Sequence, residues 1–82
     1  MKSKTYYAIQ DDSGCLYTFE LQEDRLRNDS WYQVCSYPEI TLAALYHDYD
    51  KAELDVQQIL ACKDANLKLK IIEVKVEIGK YA

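Results

Sequence analysis

Apolar residues recur at helical spacing in one place in this chain, at Ala52, Val56, Ile59 and Leu60. Almost everywhere else they alternate or cluster with β-branched and aromatic neighbours, the period of a strand. A chain with several strands and one helix has to lay that helix across a sheet to bury its stripe. The expected fold class is therefore α+β, with an antiparallel sheet of four to five strands and one helix packed on one face.

The strands follow in order. Residues 5–10 are rich in Tyr and Ile and predict a strand. Asp11-Asp12-Ser13-Gly14 predicts a turn, in which Asp and Ser bond the backbone and Gly takes a positive φ. In residues 15–21, Cys15, Tyr17, Phe19 and Leu21 face one way and Leu16, Thr18 and Glu20 the other, so this region is expected to close a β-hairpin. Residues 22–30 are polar apart from Leu26 and predict a loop. Residues 31–37 return to β-type side chains, and Pro38 ends them. Residues 40–46 are expected to form a short strand.

Asp50-Lys51-Ala52-Glu53 has the form of a capping box, with Tyr49 and Leu54 in the positions of a hydrophobic staple. A helix over 51–64 is expected, stopped at Asn66. In residues 67–78, Leu67, Leu69 and Ile71 hold one phase and Ile72, Val74, Val76 and Ile78 the other. That shift predicts a bulge in a strand expected to be central. The element order is β-β-β-β-α-β. With 82 residues, 1–82 is expected to be a single domain.

Charge and composition narrow the function. Ten basic residues against 14 acidic ones give a net charge of −4. Nucleic-acid binding is disfavoured, because it needs Lys and Arg to displace counterions, and a protein partner with a basic surface fits better. No apolar run is long enough to span a bilayer, so no membrane partner is expected. The opening Met-Lys-Ser-Lys-Thr-Tyr-Tyr has charges without an apolar run behind them and predicts no secretory signal. Cys15, Cys35 and Cys62 match no metal-ligand spacing and are expected to be reduced, mostly buried thiols in a cytoplasmic protein. His47 is the only histidine, and with no second His or paired Cys beside it no catalytic, metal or cofactor site is expected. Two glycines, Gly14 and Gly79, cannot build a phosphate-cradling loop.

Two features remain for binding. Carboxylates gather at Glu20, Glu23 and Asp24 and again at Asp48, Glu53 and Asp55 around the helix start. Some of these serve the helix dipole, and together they can present a phosphate-like patch to a basic groove. Tyrosine is the compositional outlier, with eight including Tyr81. A core this small cannot hide them all, and Tyr is enriched at interfaces. Tyr6, Tyr32 and Tyr37 join the carboxylates as candidate contact residues.

Several segments together give the chain a resemblance. They are Tyr6-Tyr7-Ala8-Ile9 with Asp12-Ser13-Gly14, Trp31, Ala44-Leu45-Tyr46 leading to Asp50-Lys51-Ala52, and Ile71-Ile72-Glu73-Val74 with Val76-Glu77-Ile78. The pattern resembles small accessory proteins encoded by phages, prophages and other mobile elements of Gram-positive bacteria. That resemblance implies a cytoplasmic accessory protein that inhibits or modulates a host or defence protein, as anti-CRISPR proteins do. It carries over no catalytic or binding residue. The expectation is a non-catalytic protein-binding module. A self-assembling protein, a homodimer through a sheet edge or a tyrosine-rich face, stays open. So does a nucleic-acid accessory using the Lys68/Lys70 face.

Overall fold

A computed structural model describes residues 2–64 and 66–78, with the side chains of Lys2 and Ile78 left aside. Gly79 and Tyr81 lie outside the described residues. The elements are β1 (Lys2–Asp11), β2 (Leu16–Asp24), β3 (Asp29–Tyr37), a 3-10 turn (Leu42–Ala44), α1 (Tyr49–Cys62) and β4 (Leu69–Ile78). The four strands form one antiparallel sheet in the order β3-β2-β1-β4. Among the described residues, the α+β class, the sheet and the single helix are as expected.

The first turn forms as its residues dictate. Asp11 Oδ1 accepts from the Ser13 N–H at 2.9 Å and the Cys15 N–H at 3.0 Å, and Gly14 sits at φ 93°. The region read as a polar loop is mostly strand. β2 runs on to Asp24 and β3 starts at Asp29, leaving residues 25–28 as the turn. Asp24 Oδ1 accepts from the Leu26 and Arg27 N–H groups, and Asn28 tolerates φ 54°. These polar residues are strand because the hairpin runs past the core, where both faces meet water.

The expected strand over 40–46 is instead the 3-10 turn followed by a single β-bridge between Tyr46 and Tyr7. Ala44 is fully buried, so its small side chain seats the turn against the sheet.

No bulge interrupts β4. Its register with β1 runs unbroken from Lys2↔Ile78 to Asp11↔Leu69. Nor is β4 central, since it forms one edge of the sheet. Both misreadings have one cause, which is that β4 is packed on both faces. Leu69 and Ile71 pack with Ile9, Tyr17, Ala52 and Ile59 under the helix, whereas Ile72 and Val74 pack with Ala8, Leu16 and Ala44 on the other face. The phase shift marks a change of buried face along a regular strand.

The sheet is split. β1 and β4 pair along their whole length, and so do β2 and β3. β1 and β2, however, pair only at Ile9↔Tyr17 and Gln10↔Leu16, next to their turn. Beyond that corner Tyr7 turns to Tyr46, with N···O distances of 2.8 and 2.7 Å. The segment ahead of the helix thus fills the gap between two diverging ribbons.

Candidate functional site

The helix begins two residues earlier than expected. Asp48 is the N-cap, its carboxylate accepting from the Asp50 N–H at 3.0 Å. Asp50 lies inside the first turn and does not cap, so the capping box is not made. Tyr49 and Leu54 are both exposed and do not staple; the Tyr49 ring instead meets Tyr7 edge-on at 5.4 Å. The shift follows from Tyr46. Its bridge to β1 holds the chain extended through Tyr46, and Asp48 is the first capping residue type after it.

Asp55 is the residue whose role the sequence reading missed. It was grouped with the surface carboxylates, but it is 2% exposed. Its Oδ1 pairs with Lys51 Nζ at 2.8 Å, and its Oδ2 accepts from the Tyr46 hydroxyl at 2.7 Å. That hydroxyl in turn accepts from the Phe19 N–H at 3.3 Å. Phe19 lies just beyond the point where β1 leaves β2, so its N–H has no strand partner on that side. The Tyr46 hydroxyl supplies one and links β2 to the helix. Burial, and then the bond to Asp55, raise the Tyr46 hydroxyl pKa above its ordinary value. The signal was spacing, because residues 52, 55, 56 and 59 make one helical stripe and Asp55 occupies a place within it.

A cleft of ≈ 420 Å³ opens between β2 and the segment leading into the helix. Phe19, Leu45, Tyr46 and His47 give it apolar and aromatic walls, and Glu20, Asp48, Lys51 and Asp55 give it charge. Three carboxylates there face one ammonium. Glu20 is held in place, its Oε2 accepting from the Thr18 hydroxyl and from the Tyr37 hydroxyl at 2.6 Å. Those two bonds, Thr18 first, lower the Glu20 pKa. The reciprocal bond to Glu20, reinforced by burial, raises that of Tyr37.

The expected contact residues divide. Glu20, Asp48 and Asp55 meet at the cleft, and Tyr37 supports Glu20 from β3. Glu23 and Asp24 lie at the far hairpin turn, where Asp24 also approaches Arg27 at 3.7 Å. Glu53 is exposed on the helix and lines neither the cleft nor the hollow at the hairpin turn. Tyr6 is half-buried, with its ring against His47 at 4.8 Å. Tyr32 is 60% exposed and stacks on Phe19 with ring centroids 5.1 Å apart.

Lys68 and Lys70 are exposed, but Lys68 shares its hollow with Asp11, Asp12 and Asp64. Three carboxylates around the lysine argue against a phosphate backbone at that face. The three cysteines are free thiols, Cys15 and Cys35 half-buried and Cys62 exposed, so none is buried as expected. Among the described residues, no three His, Cys, Asp or Glu side chains gather as a metal site requires, and no helix is long and apolar enough to cross a membrane. Comparison with known proteins returns no matching family model, no matching curated protein and no matching solved structure.

Proposed function

We propose that this chain is a non-catalytic protein-binding module whose cleft takes a basic side chain of its partner. One observation carries the reading: Glu20 and Asp48 stand with Phe19, Tyr46 and His47 around a single opening, while the only ammonium there is occupied by Asp55. Carboxylates set beside aromatic faces suit a guanidinium, which forks onto the former and stacks on the latter. The net charge of −4 would steer such a partner inward. The resemblance to mobile-element accessory proteins gives the setting, in which the module occupies and so inhibits or modulates a basic surface of a host or defence protein in the cytoplasm.

The test is a low-salt NMR titration with a short arginine peptide, using a glutamate peptide as control. Amide shifts should centre on residues 18–20 and 45–48 and fade with added salt. The double variant Glu20→Gln, Asp48→Asn removes two charges while keeping a hydrogen-bond acceptor at Glu20 and a good N-cap at Asp48. It should stay folded and bind the arginine peptide at least about tenfold more weakly, a loss of ~1.4 kcal/mol. Unchanged affinity in that variant, or shifts confined to the 25–28 turn, would remove the cleft from the reading.

A further inference from the structure

The two edges of the sheet differ in a way that bears on self-assembly. Sheet edges carry unpaired N–H and C=O groups, and proteins blunt them with charge, proline or a covering segment. β4 carries Lys70, Glu73, Lys75 and Glu77 along its length. β3 reads Asp-Ser-Trp-Tyr-Gln-Val-Cys-Ser-Tyr, with no charge after Asp29 and no proline before Pro38. It is paired to β2 over all nine residues, so it is a regular, fully extended edge. No other described element pairs with its outer side.

We propose that β3 pairs antiparallel with β3 of a second copy of this chain, across a two-fold axis at Gln33. The register follows from geometry. In an antiparallel pair, residues opposite each other must both point their backbone groups inward or both outward, so a two-fold axis between identical strands falls on a residue. Full overlap of Asp29–Tyr37 places that residue at Gln33. Trp31 then faces Cys35 of the copy, Tyr32 faces Val34, Ser30 faces Ser36 and Asp29 faces Tyr37. No like charges meet, although each chain carries a net −4. On the helix side, the Tyr32–Val34 pairs join two patches that are otherwise open. Leu21 lies beside Tyr32 and is 48% exposed, and Tyr32 is stacked on Phe19. The product is a continuous eight-stranded sheet with both helices on one face and an aromatic floor between them. The cleft lies on the β1 side of β2, so it stays open in both copies and pairing is independent of what the cleft binds.

Sedimentation equilibrium near 100 µM, well above the dissociation constant of a micromolar contact, should give twice the monomer mass of 9.6 kDa. Gln33→Lys sets two ammonium groups against each other at the axis and should weaken the dimer about fivefold, the upper end for facing like charges. Gln33→Glu should do the same. An equimolar mixture of the two variants should recover the dimer as a heterodimer, because residue 33 faces itself only in this register. Gln33 is exposed, so both variants should keep the wild-type circular dichroism and urea midpoint. A wild-type monomer at that concentration overturns the proposal. So does a dimer indifferent to both substitutions, or a pair of weakened variants that fail to recover on mixing. β3 would in the last two cases be free for a strand of a different protein.

Discussion

The β1–β4 and β2–β3 ribbons are both fully paired antiparallel strand pairs, yet they live in different surroundings. β1 and β4 are packed from both sides, with Ile9 and Ile71 under the helix and Ala8, Ile72 and Val74 against the 3-10 turn. β2 and β3 share that packing only near the corner, through Leu16, Tyr17, Phe19, Val34 and Tyr37. Beyond it Leu21, Trp31 and Tyr32 face water. The helix is too short to cover all four strands along their length. A helix of 14 residues spans roughly 21 Å, whereas a nine-residue strand spans roughly 30 Å, and this helix also serves β4. The middle of one ribbon is consumed in making the core, and the other has exposed apolar and aromatic side chains left over for contacts. Binding capacity here is a by-product of having one short helix for four strands.

If that division is right, the ribbons depend on the Tyr46–Asp55–Lys51 group, which ties the exposed one to the helix. Asp55→Ala is the largest effect expected. It leaves the Tyr46 hydroxyl without its acceptor inside the packed region and Lys51 without its partner, at a cost of about 3 kcal/mol. Tyr46→Phe, which also orphans the Phe19 N–H, should cost about 2 kcal/mol. Urea unfolding measures both. The double variant should cost less than the sum, because the two residues act through one bond. Losses near zero would mean that the ribbons are held together by apolar packing alone.

The fold was legible wherever one face of an element is apolar and the other mostly polar. Residues 15–21 alternate because Tyr17 and Phe19 meet the helix cluster, whereas on the other face Leu16 is followed by the polar Thr18 and Glu20. The reading failed where both faces, or neither, are apolar. β4 looked bulged and central because both of its faces are apolar, and the 22–30 hairpin looked like a loop because neither of its faces is. The site was half legible. Glu20 and Asp48 were singled out for their charge, and the cleft does join them. Nothing in a list of carboxylates separates Asp55 from them. Only its position on the Ala52–Ile59 stripe does, and a charge on such a stripe signals a buried partner. The split between β1 and β2 left no local trace, since it depends on Tyr46 competing for the edge of β1 from a distance along the chain.

A smaller effect tests where the covered region begins. Asp48→Ala should cost about 1 kcal/mol, the usual loss of an N-cap carboxylate. Asp50→Ala should cost only about 0.3 kcal/mol, since Asp50 contributes just a favourable charge in the first turn. Chemical denaturation of the two variants ranks them. The reverse order would restore the cap to Asp50 and move the helix start by two residues.

The smallest effect lies at the one corner where the ribbons are joined. Asp11 Oδ2 accepts from the Tyr17 hydroxyl at 2.8 Å while Oδ1 holds the turn. The Ser13 hydroxyl, then that of Tyr17, lowers the Asp11 pKa from 3.8 to about 2. The bond to Asp11, and then burial, raise that of Tyr17 from 10.0 to about 12. Between pH ~4 and ~2 the unfolded chain binds the Asp11 proton and the folded chain does not, so stability falls with falling pH. Between pH ~10 and ~12 the unfolded chain has lost the Tyr17 proton and the folded chain keeps it, so stability falls as pH rises. Asp11 is open to solvent, which screens the interaction and keeps the effect small. Glu20, lowered by Thr18 and Tyr37, adds an acid loss within the β2–β3 ribbon but no share in the Asp11–Tyr17 bond. Urea midpoints across pH separate the two. Asp11→Asn should flatten part of both the acid and the alkaline limb, and Glu20→Gln, through its bond to Tyr37, a different part of each, so the double variant should be flatter than either single one. An Asp11→Asn profile that runs parallel to wild type at both ends would mean that the corner is held by its strand pairing and turn geometry, with no contribution from the carboxylate–tyrosine bond.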